Sequence, residues 1–297
     1  MSAFPLRSKW INVLITAIAP LIWGSTYFVT TEFLPADRPF TAALLRTLPA
    51  GLILVILSLH IPARREWGRL LILALLNIGL FQALLFIAAY RLPGGLAAVL
   101  GAIQPLLVMV LAWGFDGRKP ARLAIAASVT GVVGMAVLLL SPDAVWDETG
   151  IAAALVGAMC VAAGTFLAQR WRSNAPLLAF TGWQLLLGGL MLIPVAWLFD
   201  APLPVLTTTH FLAYAYLSIF GAMLAYALWF RGLAHLTTVA VSSLALLSPL
   251  AAVVIGWVML DQRLTGWSLI GFVAVLGSVL TVQLVLKPYD KTLAKRA

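Results

Sequence analysis

The sequence predicts an all-α integral membrane protein, with ten transmembrane helices arranged as an inverted repeat of two five-helix halves. Three observations lead there. Of 297 residues, 63% are apolar and only 10% are charged, against about 45–50% and about 25% in soluble domains. The apolar residues lie in ten continuous runs. The chain also matches itself at a shift of about 144 residues, and a repeat with an odd number of helices turns its second copy over in the membrane.

The runs occupy 11–31, 40–59, 70–90, 95–115, 123–140, 150–169, 177–199, 211–230, 237–260 and 266–286. About 20 residues rising 1.5 Å each cross a hydrocarbon core of about 30 Å. The short alternating strands of a barrel do not fit uninterrupted runs. Charged residues punctuate the runs in order. Arg7 and Lys9 precede the first, and Glu32, Asp37 and Arg38 separate it from the second. Arg64, Arg65 and Arg69 introduce the third, Arg91 ends it, and Arg118, Lys119 and Arg122 divide the fourth from the fifth. Asp143, Asp147 and Glu148 lead into the sixth, Arg170 and Arg172 close it, and Asp200 follows the seventh. Arg231 ends the eighth and Asp261 and Arg263 follow the ninth, while Lys287, Lys291, Lys295 and Arg296 make a basic tail of 287–297. Ala17-Ile18-Ala19 resembles a signal-peptide cleavage site, but the apolar run continues through Val29 and Pro20 follows, so this segment is expected to remain as the first helix.

With the N-terminus in the cytoplasm, fifteen of the nineteen Lys and Arg residues fall on that side. Three (Arg38, Arg91 and Arg263) fall opposite, and Arg46 lies within a span. The positive-inside rule then places both termini in the cytoplasm. The formal charge of +9 is thus a topology signal, and no nucleic-acid partner is implied. The single cysteine gives no disulfide framework.

The self-match brings Leu92, Leu100, Pro105, Leu106 and Trp113 onto Leu236, Leu244, Pro249, Leu250 and Trp257. Gly79 answers Gly221, Ala50-Gly51 answers Gly188-Gly189, and Asp116-Gly117-Arg118 answers Asp261-Gln262-Arg263. The two copies are expected over 10–140 and 150–286. Opposed copies of this kind let many carriers exchange inward-open and outward-open shapes around a midplane site.

Ile22-Trp23-Gly24-Ser25-Thr26-Tyr27-Phe28 resembles the Trp-Gly-Ser signature that opens the EamA family of the drug/metabolite transporter superfamily. Ala42-Ala43-Leu44-Leu45-Arg46 resembles the arginine-bearing second helix of that family, and the Pro-containing fourth and ninth helices also match. The family usually carries Glu after each Pro helix; Asp116 and Asp261 stand here, and their role stays open. The likeness covers about residues 10 to 286 and is greatest to bacterial aromatic amino-acid exporters of the YddG type. It implies an exporter of aromatic and other amino acids, a multi-pass protein of the bacterial inner membrane.

Within the ten runs there is no Asp, Glu, Lys or His. Proton-coupled carriers commonly titrate such a group in the bilayer, so facilitated transport by alternating access is the expectation. Proton-driven export of other metabolites or drugs, and a non-transport membrane role, are the alternatives. Paired carboxylates, a metal-ligand cluster and a serine–histidine pair at one depth are all missing, so no enzyme, cofactor or metal is expected. The lipid bilayer and a small-molecule substrate (amino acids) are the expected partners; a monomer is compatible with this architecture, and the sequence leaves the oligomeric state open.

Arg46 is the one charge within a span, and it has two readings: a side chain snorkelling to the outer surface, or a structural or substrate-carboxylate partner. Trp23 and Tyr27 share a helix face one turn apart and, with Phe81, could wall an apolar pocket. Asn77, Gln82 and Gln104 are interior amides, for which interhelical hydrogen bonding and pocket contact are both open. Gln184 occupies the place of Arg46 in the second copy, which suggests a structural role. Ser242, Ser243 and Ser248 flank the second proline. Pro105 and Pro249 each remove a mid-helix donor and are candidate hinges. Most tryptophans sit near run ends, where an interfacial belt explains them. Gly150, Gly157 and Gly164 form a stripe suited to close helix packing.

Overall fold

The computed structural model describes residues 4–92, 94–139, 147–171, 173–259 and 266–286. Among them, ten helices are long and apolar enough to cross a membrane. They are α1 (Ser8–Phe33), α2 (Pro39–Ser58), α3 (Arg64–Ala88), α4 (Ala98–Asp116), α5 (Arg122–Leu139), α6 (Glu148–Trp171), α7 (Leu177–Phe199), α8 (Thr208–His235), α9 (Thr238–Met259) and α10 (Trp267–Val285). Asp261 and the basic tail lie outside the described residues.

Large apolar side chains point outward along the helices, as in Leu14, Leu57, Trp197 and Leu284, while polar ones such as Thr16, Gln82, Gln184 and Ser242 are buried. That is the distribution a lipid solvent selects, since an apolar surface costs nothing there and a polar one must find protein partners. The helices pack in corresponding pairs: α2 lies along α7 and α5 along α10, while α1 packs on α8 and α9 and α6 packs on α3 and α4. Small residues permit these approaches. A Cβ on Gly24 would stand 2.5 Å from the Ala251 side chain and 2.6 Å from the Ser248 carbonyl, so only glycine lets α1 lie this close to α9. The Gly150, Gly157 and Gly164 stripe of α6 likewise faces α3, at Leu92, Leu84 and Asn77.

Three departures from the expected runs have local causes. The eighth helix begins at Thr208 because the Thr207 hydroxyl accepts the His210 amide at 3.3 Å while the His210 ring accepts the Thr207 amide at 3.3 Å, a reciprocal cap. It runs past Arg231 to His235, since a basic side chain is favourable in the last turn of a helix. Second, α3 and α8 each contain a π-helical segment, Leu75–Gly79 and Leu217–Leu224. One residue more per turn leaves carbonyls open to outside donors. Third, α4 and α9 break at 102–103 and 245–246, just before Pro105 and Pro249 rather than at them. Pro105 opens the second segment of α4, where its missing donor and fixed φ do no harm. The Ala245 carbonyl, which lacks a donor from Pro249 four residues on, accepts the Ser248 amide at 3.0 Å in a tightened turn.

The buried Lys9 ammonium donates to the carbonyls of Gln283 and of Leu286, the latter at 2.7 Å. It thus caps the C-terminal end of α10 and ties α1 to it.

Candidate functional site

The helices enclose one large cavity, about 740 Å³, lined from α1, α2, α3, α4, α6, α8 and α9. Its lining runs from the exposed Ala36 and Asp37, in the α1–α2 connection, to a buried end at Trp229, Phe230 and Ser242, beside Trp23. Its size is that of a small-molecule pocket.

Aromatic rings build the closed end. The Trp23 ring lies 5.1 Å from Tyr226 and 5.2 Å from Trp229, both tilted, and Tyr226 lies 6.0 Å from Phe230. Tyr226, Trp229 and Phe230 stand at helical spacing on one face of α8 and are all at least nine-tenths buried. All three lie within the eighth run, 211–230, and were missed because aromatic residues in an apolar run do not stand out by composition. Their spacing was the available signal.

The π-helical turn of α8 supplies the next layer. The Gly221 carbonyl accepts both Trp23 Nε1 at 3.0 Å and an Arg46 terminal nitrogen at 2.9 Å. One freed backbone oxygen therefore fixes an indole from α1 and a guanidinium from α2. Arg46 is 5% exposed and lines the cavity, so its guanidinium is a buried wall group and does not snorkel to the surface. The corresponding junction in the other half is neutral: Asn77, in the π segment of α3, donates to Gln184 of α7 at 2.9 Å. Each second helix thus bonds its polar residue to the π segment of the opposite half.

Of the remaining expected residues, Phe81, Gln82, Gln104, Pro105, Ser242, Ser248 and Pro249 line the cavity with Trp23 and Asn77. Ser243 does not. Its hydroxyl donates to Ala240 at 2.9 Å and accepts Gln283 Nε2 at 3.0 Å, packing α9 on α10. The side chain of Tyr27 lies outside the described residues. Gln82 Nε2 points at the Tyr226 hydroxyl at 3.4 Å, a long contact. Gln82 Oε1, Gln104 Nε2 and Thr26 Oγ1, all buried at the cavity wall, have no protein partner among the described residues. Unsatisfied buried polar atoms are costly in a folded protein, and at a cavity wall they are available to a ligand.

Beyond the closed end, polar contacts join the helix termini. Gln169 of α6 donates to the carbonyls of Leu233 at 3.1 Å and Leu236 at 2.6 Å, and its oxygen accepts the amide of Thr238 at 3.2 Å and the Thr238 hydroxyl. It therefore clamps the α8–α9 connection. Asp116, at the end of α4, pairs with Arg170 at the end of α6. On the mouth side, Arg91 pairs with Asp147 at 3.5 Å. Among the described residues no group of three or more His, Cys, Asp or Glu could hold a metal.

The comparisons with known proteins agree with this architecture. A protein of Dickeya dadantii named PecM is 44% identical over 268 residues, covering 89% of this chain and 90% of the relative. An uncharacterized transporter of Bacillus subtilis, YvbV, is 26% identical over 91% of both chains. A WAT1-related chloroplastic protein of Arabidopsis thaliana is 29% identical over 88% of this chain and 66% of the relative. A solved crystal structure, 18% identical, matches with a TM-score of 0.78 over 96% of this chain and 98% of the other, which shows a shared fold. The description of the EamA-like transporter family matches residues 10–140 and again 148–284. Ten apolar helices around a closed-ended cavity, with that match over both halves, make this chain a multi-pass membrane transport protein of the EamA-like transporter family.

Proposed function

We propose that this protein exports amino acids, aromatic ones and other small amphipathic metabolites, across the bacterial inner membrane, and that it does so as a facilitator by alternating access. The single observation that carries this reading is the cavity: small-molecule sized, open at one end, and walled by aromatic rings, amides and one guanidinium. An aromatic side chain would rest against Trp23, Tyr226 and Trp229. The backbone ends of the amino acid would meet Gln82, Gln104, Asn77 and the serines, with Arg46 drawing the carboxylate. The overall likeness of the sequence to YddG-type exporters implies substrates of the same kind.

The halves 10–140 and 150–286 act in this reading as inverted copies. The twofold match of the family supports it. So do a π segment in the third helix of each half and a break before proline in the fourth. With both termini in the cytoplasm, the mouth beside Asp37 faces outward. The Gln169 clamp and the Asp116–Arg170 pair then close the inner side. Rocking would exchange these closures, with the broken helices α4 and α9 bending at Pro105 and Pro249.

Counterflow in proteoliposomes tests the function. Labelled aromatic amino acids should accumulate against unlabelled amino acid inside without any pH gradient. Flux only with an imposed gradient favours proton-driven export, and no counterflow with any amino acid defeats the reading. Orientation has its own check. In a Cys160→Ala background, Ala36→Cys should react with a membrane-impermeant maleimide added outside intact cells; labelling only after disruption would reverse the topology.

A further inference from the structure

We propose that Arg46 is the charge filter of the cavity, admitting carboxylate-bearing and neutral amphiphiles and turning away organic cations. The proposal rests on the transport reading above and names the charge class of its substrates. Three of the described residues lining the cavity carry a formal charge: Asp37, Arg38 and Arg46. Asp37 and Arg38 are adjacent, opposite in sign, and beside the exposed α1–α2 connection, so their fields largely cancel within. Among the described lining residues, Arg46 is the one that places a formal charge in the interior. It is buried, it is always ionised, and its guanidinium is held by the Gly221 carbonyl at 2.9 Å. A fixed charge surrounded by protein and lipid is poorly screened, and it sets the potential of the space beside it.

The neutral amide groups offer one donor and one acceptor, so they do not offset the charge of Arg46. Gln104 Nε2 is a buried donor awaiting an acceptor, and Gln82 Oε1 supplies one acceptor for an N–H. Aromatic faces do attract cations, but the Trp23 ring, 5.1 Å from Tyr226 and 5.2 Å from Trp229, shares its layer with the Arg46 guanidinium through the Gly221 carbonyl that binds both. That fixed positive charge opposes a cation there. The charge also belongs to one half only. The corresponding Gln184 is neutral and satisfied by Asn77, so glutamine is a side chain this fold already accommodates at such a junction.

Equilibrium dialysis of the purified full-length protein tests the filter with ligands matched in shape and different in charge. One set is indole-3-propionate, N-acetyltryptophanamide and tryptamine, with tryptophan itself. The other is 4-methylpentanoate, N-acetyl-leucinamide and isopentylamine. The wild type should bind the carboxylate about tenfold or more tighter than the amine, roughly what one favourable partly buried charge contact supplies. Arg46→Lys should keep that order. Arg46→Gln should erase it, with carboxylate and amine bound alike, and a size-exclusion profile and Tm near wild type report the folded protein. Discrimination on the aliphatic set alone would support the filter and defeat the aromatic reading. Amines binding as tightly as carboxylates, no discrimination on either set, or a preference that survives Arg46→Gln would overturn the proposal.

Discussion

Gly51→Val is expected to leave no monodisperse protein after detergent extraction. Gly51 lies on the face of α2 that meets α7, and a Cβ there would fall on the Leu186 amide nitrogen, 2.6 Å from Leu186 Cα and 2.7 Å from the Leu185 carbonyl carbon. These are backbone atoms of α7, so no rotamer change relieves the clash. Overpacking commonly costs about 1–3 kcal/mol for extra methylenes that side chains can absorb, and here α2 and α7 must separate along their length. Gly51→Ala should therefore already lower the Tm clearly, whereas Gly68→Ala, with nothing within 4 Å of its Cβ, should not. Size-exclusion profiles and thermal unfolding of the three variants check this. A Gly51→Val protein as stable as wild type would show that the α2–α7 contact is looser than described.

Trp23→Ala is expected to reduce transport by about tenfold or more, a loss of transition-state stabilisation of about 1.4 kcal/mol. The indole forms the closed end of the cavity with Tyr226 and Trp229, and its Nε1 donates to the Gly221 carbonyl. Truncation removes the aromatic wall and one of the two donors to that carbonyl. Trp23→Phe separates the two roles, because it keeps a ring and loses the donor. If the wall governs selectivity, Trp23→Phe should retain most flux of aromatic substrates. If the junction governs it, the two variants should fail together. Initial counterflow rates, normalised to folded protein by size exclusion, make the comparison.

Much of this was legible in the sequence, because the bilayer imposes simple constraints. Ten runs gave ten helices, and the scarcity of polar residues within them made each one conspicuous. Asn77, Gln82 and Gln104 could be selected for that reason, and Trp23 and Phe81 as aromatic walls, and all of them reach the cavity wall. What escaped depends on register and direction. Tyr226, Trp229 and Phe230 lay within the eighth run but share its apolar character, so hydropathy did not set their helix face apart. The π segments have no side-chain signature, since a single extra residue per turn is invisible to hydropathy. Without them the meeting of Trp23 and Arg46 at one carbonyl could not be foreseen. Ser243 lies one residue from Ser242, and that step of about 100° around the helix turns it from the cavity to α10.

The cavity as the route of transport is the central claim, and plugging it is the most direct test. Ala154 of α6 is partly exposed and lines the cavity, so Ala154→Trp would place an indole in the space without displacing backbone. Counterflow of a labelled aromatic amino acid should be rapid with the wild type and reduced to the protein-free rate with Ala154→Trp, while Tm stays close to wild type. Undiminished counterflow through the plugged, folded variant would contradict the account.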